Sequence, residues 1–491
     1  MRYNVFMNRW LSLILHVICI AGLIGGLTPA IIPPQPTPQP VVVGGEDLDM
    51  PRDEISPAEE QAMWEEIQRN IATLRDAGAL AVPNAAQTVT YNIPLRMAPG
   101  LPDYAGFRVS AFADHNPTSG QLLDYNSGTR TYDGHRGTDY ALYPFNWNKV
   151  DAGEVQVIAA APGTILGNSN VDPTDHNCSS SSSDAWNYVA LVHADGRMTI
   201  YGHMRYNSLT SKGIGQTVTQ GEYLGTVASS GNSSGPHLHF EVRVGSFSSA
   251  EWIDPYAGPN SQPESLWTNQ RPYFDSSVNK LATHSAPPST PDPCLPSTTN
   301  LQDSFTTPRN IYFYTYYRDY QGALVTQLNI YRPDGSTFQS WQDVPADNTF
   351  YSGASRARVF AFSANEPAGT WRFEATYNGQ SYETFFTLTD APLVAQDDFA
   401  MTPINTPVTI DVLSNDGNPN GDPMTITALG LPMNGTVSLV SARIVYTPTL
   451  DFLGTDVFTY TVRTSAEQAD ATVTVFVAAE VFRLFLPLIR R

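Results

Sequence analysis

Seven of the nine histidines in this 491-residue chain fall between His115 and His239. Imidazole titrates near neutral pH and is the commonest protein ligand for metals, so such crowding needs a chemical explanation. Three short runs supply one. In Gly134-His135-Arg136-Gly137-Thr138-Asp139-Tyr140 an imidazole and a carboxylate stand four residues apart. They can reach one metal ion if the backbone turns between them, and Gly137 permits a turn. The same spacing also arises by chance, from a loop with a surface histidine and an aspartate turn. The run Gly235-Pro236-His237-Leu238-His239-Phe240-Glu241-Val242 reads as a strand. On a strand His237, His239 and Glu241 share one face, while Leu238, Phe240 and Val242 point to a core. Packing does not account for two histidines on the polar face of an otherwise apolar strand. A metal site does, with one as ligand and its neighbour beside the water that the metal activates. The third run, Tyr201-Gly202-His203-Met204, closes a strand that begins at Met198. A lone histidine there gains meaning only beside the other two runs.

Taken together, the three runs resemble the lysostaphin-type zinc endopeptidases, the LytM-like peptidoglycan hydrolases. Residues 233–242, which contain the histidine pair, fit the same pattern, as do residues 157–165 and 221–225. The resemblance covers residues 88–258. It implies that His135, Asp139 and His239 hold Zn2+ and that His203 and His237 are catalytic, facing the reacting water and carbonyl. Two neutral imidazoles and a carboxylate would leave a tetrahedral zinc one open position. There the metal lowers the pKa of water toward ~7 and polarises the scissile carbonyl. One of the two further histidines then takes a proton, and the other steadies the oxyanion or protonates the leaving amine. Tyr132, close to His135 in the chain, is a candidate oxyanion donor. His193 precedes a turn and reads as structural, and His115 and His176 lie in Asp- and Asn-rich loops and read as surface residues. Glu241 is a strand residue on the family pattern, not a ligand. Residues 171–186, with Cys178 and a serine run, read as an insertion at the groove's rim.

The elements that must position these residues are short strands broken by Gly, Asn, Asp and Ser, at 155–159, 188–192, 198–201 and 238–244. Ahead of them Ser56, Pro57 and Glu59 form an N-cap, a first helical proline and a capping-box acid. Met63, Ile67, Ile71 and Leu74 follow at helical spacing, with Gly78 as a stop. This predicts a helix over 57–77 that packs on the next domain. Residues 259–300 are rich in Pro, Ser and Thr and read as a linker. Strand-like stretches at 311–317 and 371–377, then at 408–412, 436–440, 443–447 and 457–462, predict two β-sandwich modules over 301–390 and 391–479. The first resembles generic Ig-like sandwiches and the second the cadherin-like, bacterial Ig-type repeats. Oxygen-rich loops around Asp397, Asp398, Asp411, Asn415, Asp416 and Asp422 are open to two readings, Ca2+ binding or plain turn formation. Residues 480–491 are an apolar tail ending in Arg490 and Arg491, either docked on the last sandwich or acting as a retention or export signal. The expected fold class is therefore mainly β: a β-sheet-rich peptidase domain, two Ig-like β-sandwiches and one N-terminal helix.

Composition narrows the function further. Lys+Arg 27 against Asp+Glu 47 gives a net charge of −20, a field that repels phosphate backbones and argues against nucleic-acid partners. Residues 1–30 carry Arg2 and Arg9, then an apolar run over 10–27 and small residues up to Ala30. This describes a secretory signal peptide. A membrane anchor is the alternative, weakened by Gly22, Gly25 and Gly26 and by the Pro-rich spacer that opens residues 31–87. Loss of that segment leaves Cys178 and Cys294, which an oxidising compartment permits to pair; the sequence does not bring them together. The function implied is a secreted or wall-associated bacterial zinc metalloendopeptidase, with no stable membrane span in the mature chain, that cuts peptidoglycan peptides. The alternatives are a non-catalytic wall-binding regulator of another hydrolase, or an adhesin that works through its sandwiches.

Overall fold

The structure, a computed structural model, describes residues 40–41, 45–46, 57–84, 86–101, 103–179, 185–244, 251–345, 350–418 and 422–480. The expected signal peptide, the helix-capping Ser56 and the apolar run of the tail lie outside these residues. No helix among the described residues is long and apolar enough to cross a membrane.

The helix runs over Pro57–Asp76. It stops where Gly78 takes a left-handed φ of 62° and Ala79 N donates back to Leu74 O at 2.8 Å, the C-terminal geometry that glycine allows at least cost. Met63, Ile67 and Ile71, one helical face, are buried against Leu166, Trp186, Tyr188, Ala190, Val192, Met198 and Ile200. Apart from Trp186, which stands just before a strand, those partners are side chains on one face of a sheet.

That sheet is eight-stranded and antiparallel. Its order is Thr217–Val218, Gly163–Ser169, Tyr188–Val192, Met198–Gly202, His237–Val244, Thr138–Leu142 and Phe107–Ala111, with Glu251–Trp252 added beside His237–Val244. The opposite face, carrying Val189, Leu191, Tyr201, Leu238, Phe240 and Val242, buries the domain's main core together with Trp147, Val155, Val157 and Leu224. A three-stranded sheet of Tyr223–Thr226, Val155–Ile158 and Leu95–Met97 closes that core. A second helix, Asn146–Ala152, inserts Trp147 and Val150 into it. It was not among the expected elements, because seven residues hold too few turns for a helical period to register.

The middle module is a sandwich whose first sheet contains a strand, Ser277–His284, paired with Arg309–Gln321. This strand lies inside the stretch read as a linker. A register shift between Val278 and Lys280 breaks the two-residue alternation that would have marked it as a strand. The neighbouring strand Phe350–Phe362 also pairs with Pro40–Val41 and Gly45–Glu46, so the N-terminal segment joins this sheet before the helix begins.

The last module is a second sandwich, with sheets of four and three strands. Several of its acidic groups organise the backbone. Asp397 accepts from Thr472 N at 2.8 Å, and Asp416 from Gln396 N and the Tyr460 hydroxyl, both at 2.8 Å. The partners lie 75, 20 and 44 residues away, so these bonds pin the loops to distant parts of the module and are not local Asx turns.

Candidate metal centre

Strand register builds the site. His239 pairs with Asp139 on one side and Gly202 on the other, so residues from three neighbouring strands meet on the face away from the core. His135 reaches them from the turn before Thr138–Leu142. Its Nε2 lies 3.2 Å from Asp139 Oδ1 and 3.3 Å from His239 Nδ1, and His239 Nδ1 lies 3.1 Å from Asp139 Oδ1. All three residues are buried, and they are the one group of three or more His, Cys, Asp or Glu side chains among the described residues that could hold a metal ion. Zinc bonds of about 2.0–2.2 Å at tetrahedral angles put donor atoms about 3.3 Å apart. The observed separations fit that spacing, and two imidazoles with one carboxylate suit the chemistry of zinc.

Main-chain carbonyls fix the ring nitrogens. His135 Nδ1 donates to Phe112 O at 2.8 Å, His237 Nδ1 to Gly235 O at 2.8 Å, and His203 Nδ1 to Ser230 O at 2.6 Å. A carbonyl can only accept, so each neutral ring carries its proton on Nδ1 and offers the Nε2 lone pair elsewhere. His237 Nε2 lies 3.8 Å from Asp139 Oδ1, and the His237 and His203 rings are 4.4 Å apart. His203 holds a left-handed φ of 57°, a strained setting for a residue with a Cβ and one that recurs at functional sites.

Gly137 stands at a bend just before Thr138–Leu142, as expected, though without a positive φ. A Cβ there would stand 2.7 Å from His239 Nε2, so glycine makes room for the imidazole. Tyr132 differs from expectation. Its hydroxyl donates to Asp139 Oδ2 at 3.0 Å, so it orients the carboxylate and does not stand ready as an oxyanion donor. Glu241 is buried and paired with Arg243 at 2.9 Å, away from the donor cluster. His193 is a structural residue, buried between Pro162 O and Thr199 Oγ1 at 2.8 and 2.9 Å. His176 is exposed between Asp151 and Asp175, whereas His115 is mostly buried against Asp254 at 2.9 Å.

Two contributors escaped the sequence. Trp186, inside the expected rim insertion, sets its ring 5.0 Å from His203 and 5.6 Å from His239 while its other side packs under the N-terminal helix. The helix itself supplies Glu60, which accepts from Arg136 at 2.6 and 3.0 Å and from Arg243 at 2.9 Å. Burial pushes the Glu60 carboxyl up, but the two guanidinium groups more than offset this and hold it below its ordinary value of 4.5. Nothing local marks either residue, because both act through contacts distant in sequence. Cys178 and Cys294 form a disulfide, which ties the rim loop to the segment of the middle sandwich between Ser277–His284 and Ser304–Thr306.

The model of peptidase family M23 matches residues 134–255, and that of a bacterial Ig domain matches residues 389–476. The cell division protein DipM of Caulobacter vibrioides is 39% identical over 87 residues, 18% of this chain and 12% of its own. The DD-carboxypeptidase/endopeptidase Mpg of Neisseria meningitidis is 45% identical over 58 residues, 12% of this chain and 13% of its own. The chain thus spans 12% to 13% of the length of these curated relatives. Among solved structures, the catalytic domain of the prophage-encoded M23 protein EnpA from Enterococcus faecalis is similar at 24% identity and TM-score 0.20, covering 30% of this chain and 88% of its own. The catalytic domain of lysostaphin from Staphylococcus simulans is similar at 22% identity and TM-score 0.18, covering 30% and 85%. This chain carries a peptidase family M23 domain at residues 134–255 and a bacterial Ig domain at residues 389–476.

Proposed function

We propose that the protein is a secreted zinc metalloendopeptidase that hydrolyses peptide bonds in the stems or cross-bridges of bacterial peptidoglycan. The observation that carries this reading is the meeting of His135 Nε2, Asp139 Oδ1 and His239 Nδ1 within 3.1–3.3 Å of one another, beside two more imidazoles of fixed tautomer. Zinc bound by these three side chains would make water acidic enough to attack at neutral pH and would polarise the carbonyl to be cut. His237, whose Nε2 lies 3.8 Å from Asp139 Oδ1, takes the proton of the attacking water on Nε2. His237 then passes that proton to the leaving amine, and His203, fixed by Ser230 O, hydrogen-bonds the developing oxyanion when its Nε2 also carries a proton. Tyr132 keeps Asp139 oriented throughout. The M23 match and the likeness to a DD-carboxypeptidase/endopeptidase support a peptidase activity, with peptidoglycan as the proposed substrate.

Secretion is supported by the basic and apolar start of the chain and by the Cys178–Cys294 disulfide, since such bonds persist in oxidising compartments. We set the catalytic domain at 88–258 and the C-terminal sandwich at 391–479. The middle sandwich begins at Ser277 rather than 301, because Ser277–His284 is one of its strands.

For the C-terminal module we propose calcium binding as the reading to test. Asp398 and Asp416 are neighbouring carboxylates, and burial, with the Asp416 charge nearby, pushes Asp398 up to about 6 against the hydrogen bonds of Tyr460 and Asn415. Calorimetric titration of the full chain, with Asp398→Asn as control, tests it; no heat above the control decides for plain turns.

The peptidase reading is tested by incubating purified peptidoglycan with wild type, with His239→Ala, and with chelator-treated protein before and after zinc is restored. New amino termini are expected from wild type and from the restored protein alone. Equal release by His239→Ala contradicts the zinc mechanism. No release from any wall type by zinc-loaded wild type would favour a wall-binding regulator or an adhesin.

A further inference from the structure

Resting on the reading that His135 holds a metal, we infer that the middle Ig-like module is a working part of that centre, with Asp319 as a positioning residue for His135. His135 is aimed by its Nδ1 bond to Phe112 O. Phe112 is held in turn by Arg130 and Thr131: its N–H donates to Arg130 O at 2.9 Å, its carbonyl accepts from Thr131 Oγ1 at 2.7 Å, and the Arg130 guanidinium stands 5.3 Å over its ring.

The middle module fixes Arg130. Asp319 Oδ1 accepts from Arg130 Nη2 at 2.6 Å, both side chains almost wholly buried, and Phe350 of the same module covers the guanidinium at 5.3 Å. Asp319 is built for this contact. It lies in unbroken register between Arg318, paired with Gly353, and Tyr320, paired with Tyr351, yet it has a left-handed φ of 45°. That backbone departs from strand geometry, and the carboxylate meets Arg130 of the peptidase domain. Its second oxygen is held by Asp275 N at 2.8 Å.

A second tie reaches the other side of the centre. Cys294, between two strands of the middle module, is bonded to Cys178 in the rim loop. Beside Cys178, Ser179 N donates to Ser233 O at 3.0 Å and Asn177 Nδ2 to Gly231 O at 2.7 Å, next to the carbonyls that orient His203 and His237. A spacer or independent wall-binding module would have no use for a buried ion pair two steps from a metal ligand.

The full chain is the material for the test, as wild type, Asp319→Asn and Asp103→Asn. Asparagine keeps the shape and tolerates the left-handed backbone while removing the charge. Asp103 is the control: it holds Lys149 at 2.7 Å and Lys280, buried at the same junction, with no link to His135. Zinc affinity is read by chelator competition and ligand geometry by the visible spectrum of the cobalt(II) protein. Asp319→Asn is expected to weaken zinc about tenfold, as loss of outer-shell support does, and to shift the cobalt bands. Asp103→Asn is expected to lower the melting temperature while leaving both readings at wild type. The inference is overturned if Asp319→Asn matches wild type in both, or if Asp103→Asn weakens zinc equally. If Asp319→Asn does not fold, Phe350→Leu is measured against the same two outcomes. Wild type that binds no zinc defeats the peptidase reading instead.

Discussion

Glu60 accepts both terminal nitrogens of Arg136, at 2.6 and 3.0 Å, and Arg136 directly follows His135 in the chain. The first turns of the N-terminal helix are thereby bound to the turn that carries a candidate metal ligand. The same carboxylate holds Arg243, which stacks 4.5 Å over Trp64.

This arrangement makes stability depend on acidity. Because the two arginines hold Glu60 below 4.5, its contribution is in place above that value and is lost as pH falls through the depressed one. Glu60→Gln is expected to flatten the acid limb of a melting-temperature profile. At neutral pH Glu60→Ala is expected to destabilise the chain by about 1 kcal/mol, since the Arg136 side is partly exposed. Denaturant titration checks that figure, and an unchanged acid limb would refute the assignment.

Gly202→Ala is expected to be harmful out of proportion to its size. A Cβ at Gly202 would overlap the Trp186 ring, whose face packs beside His203 and His239. Overpacking of this kind costs about 1–3 kcal/mol. Thermal melting should show that loss, and peptidoglycan hydrolysis should fall further than stability does.

His203→Ala and His237→Ala separate metal binding from catalysis. Each is expected to lower the hydrolysis rate by about 10²–10⁴, the usual worth of a general acid or base, while zinc content stays at wild type. Rate and metal content measured on one preparation check this. Loss of zinc in either variant would make that histidine a ligand.

Tyr132→Phe removes the donor to Asp139 Oδ2. About tenfold weaker zinc binding is expected, with turnover of the fully loaded protein little changed. A large fall in turnover at full loading would restore the oxyanion role to this hydroxyl.

The residues that meet at the candidate centre could be named from the sequence because three short runs together resemble one family. Strand alternation alone set His237 and His239 on one face, whereas the spacing of His135 and Asp139 gained meaning only from the resemblance. The helix Pro57–Asp76 was legible from its 3.6-residue period, and the strand Tyr188–Val192 from a short continuous apolar run, buried throughout. What stayed hidden depends on distant contacts. The bulge beside Asn279 concealed the strand Ser277–His284, a serine run concealed Trp186, and the Asp319–Arg130 pair joins residues 189 apart. The pairing of Cys178 with Cys294 likewise spans 116 residues and leaves no local trace.

The most direct measurement is metal content, by elemental analysis of the folded full-length protein after exposure to zinc and extensive dialysis, beside His135→Ala and His239→Ala. One zinc ion per wild-type chain is expected, with none retained by either variant. A wild-type chain that folds correctly and retains no zinc would contradict the metallopeptidase reading at its root.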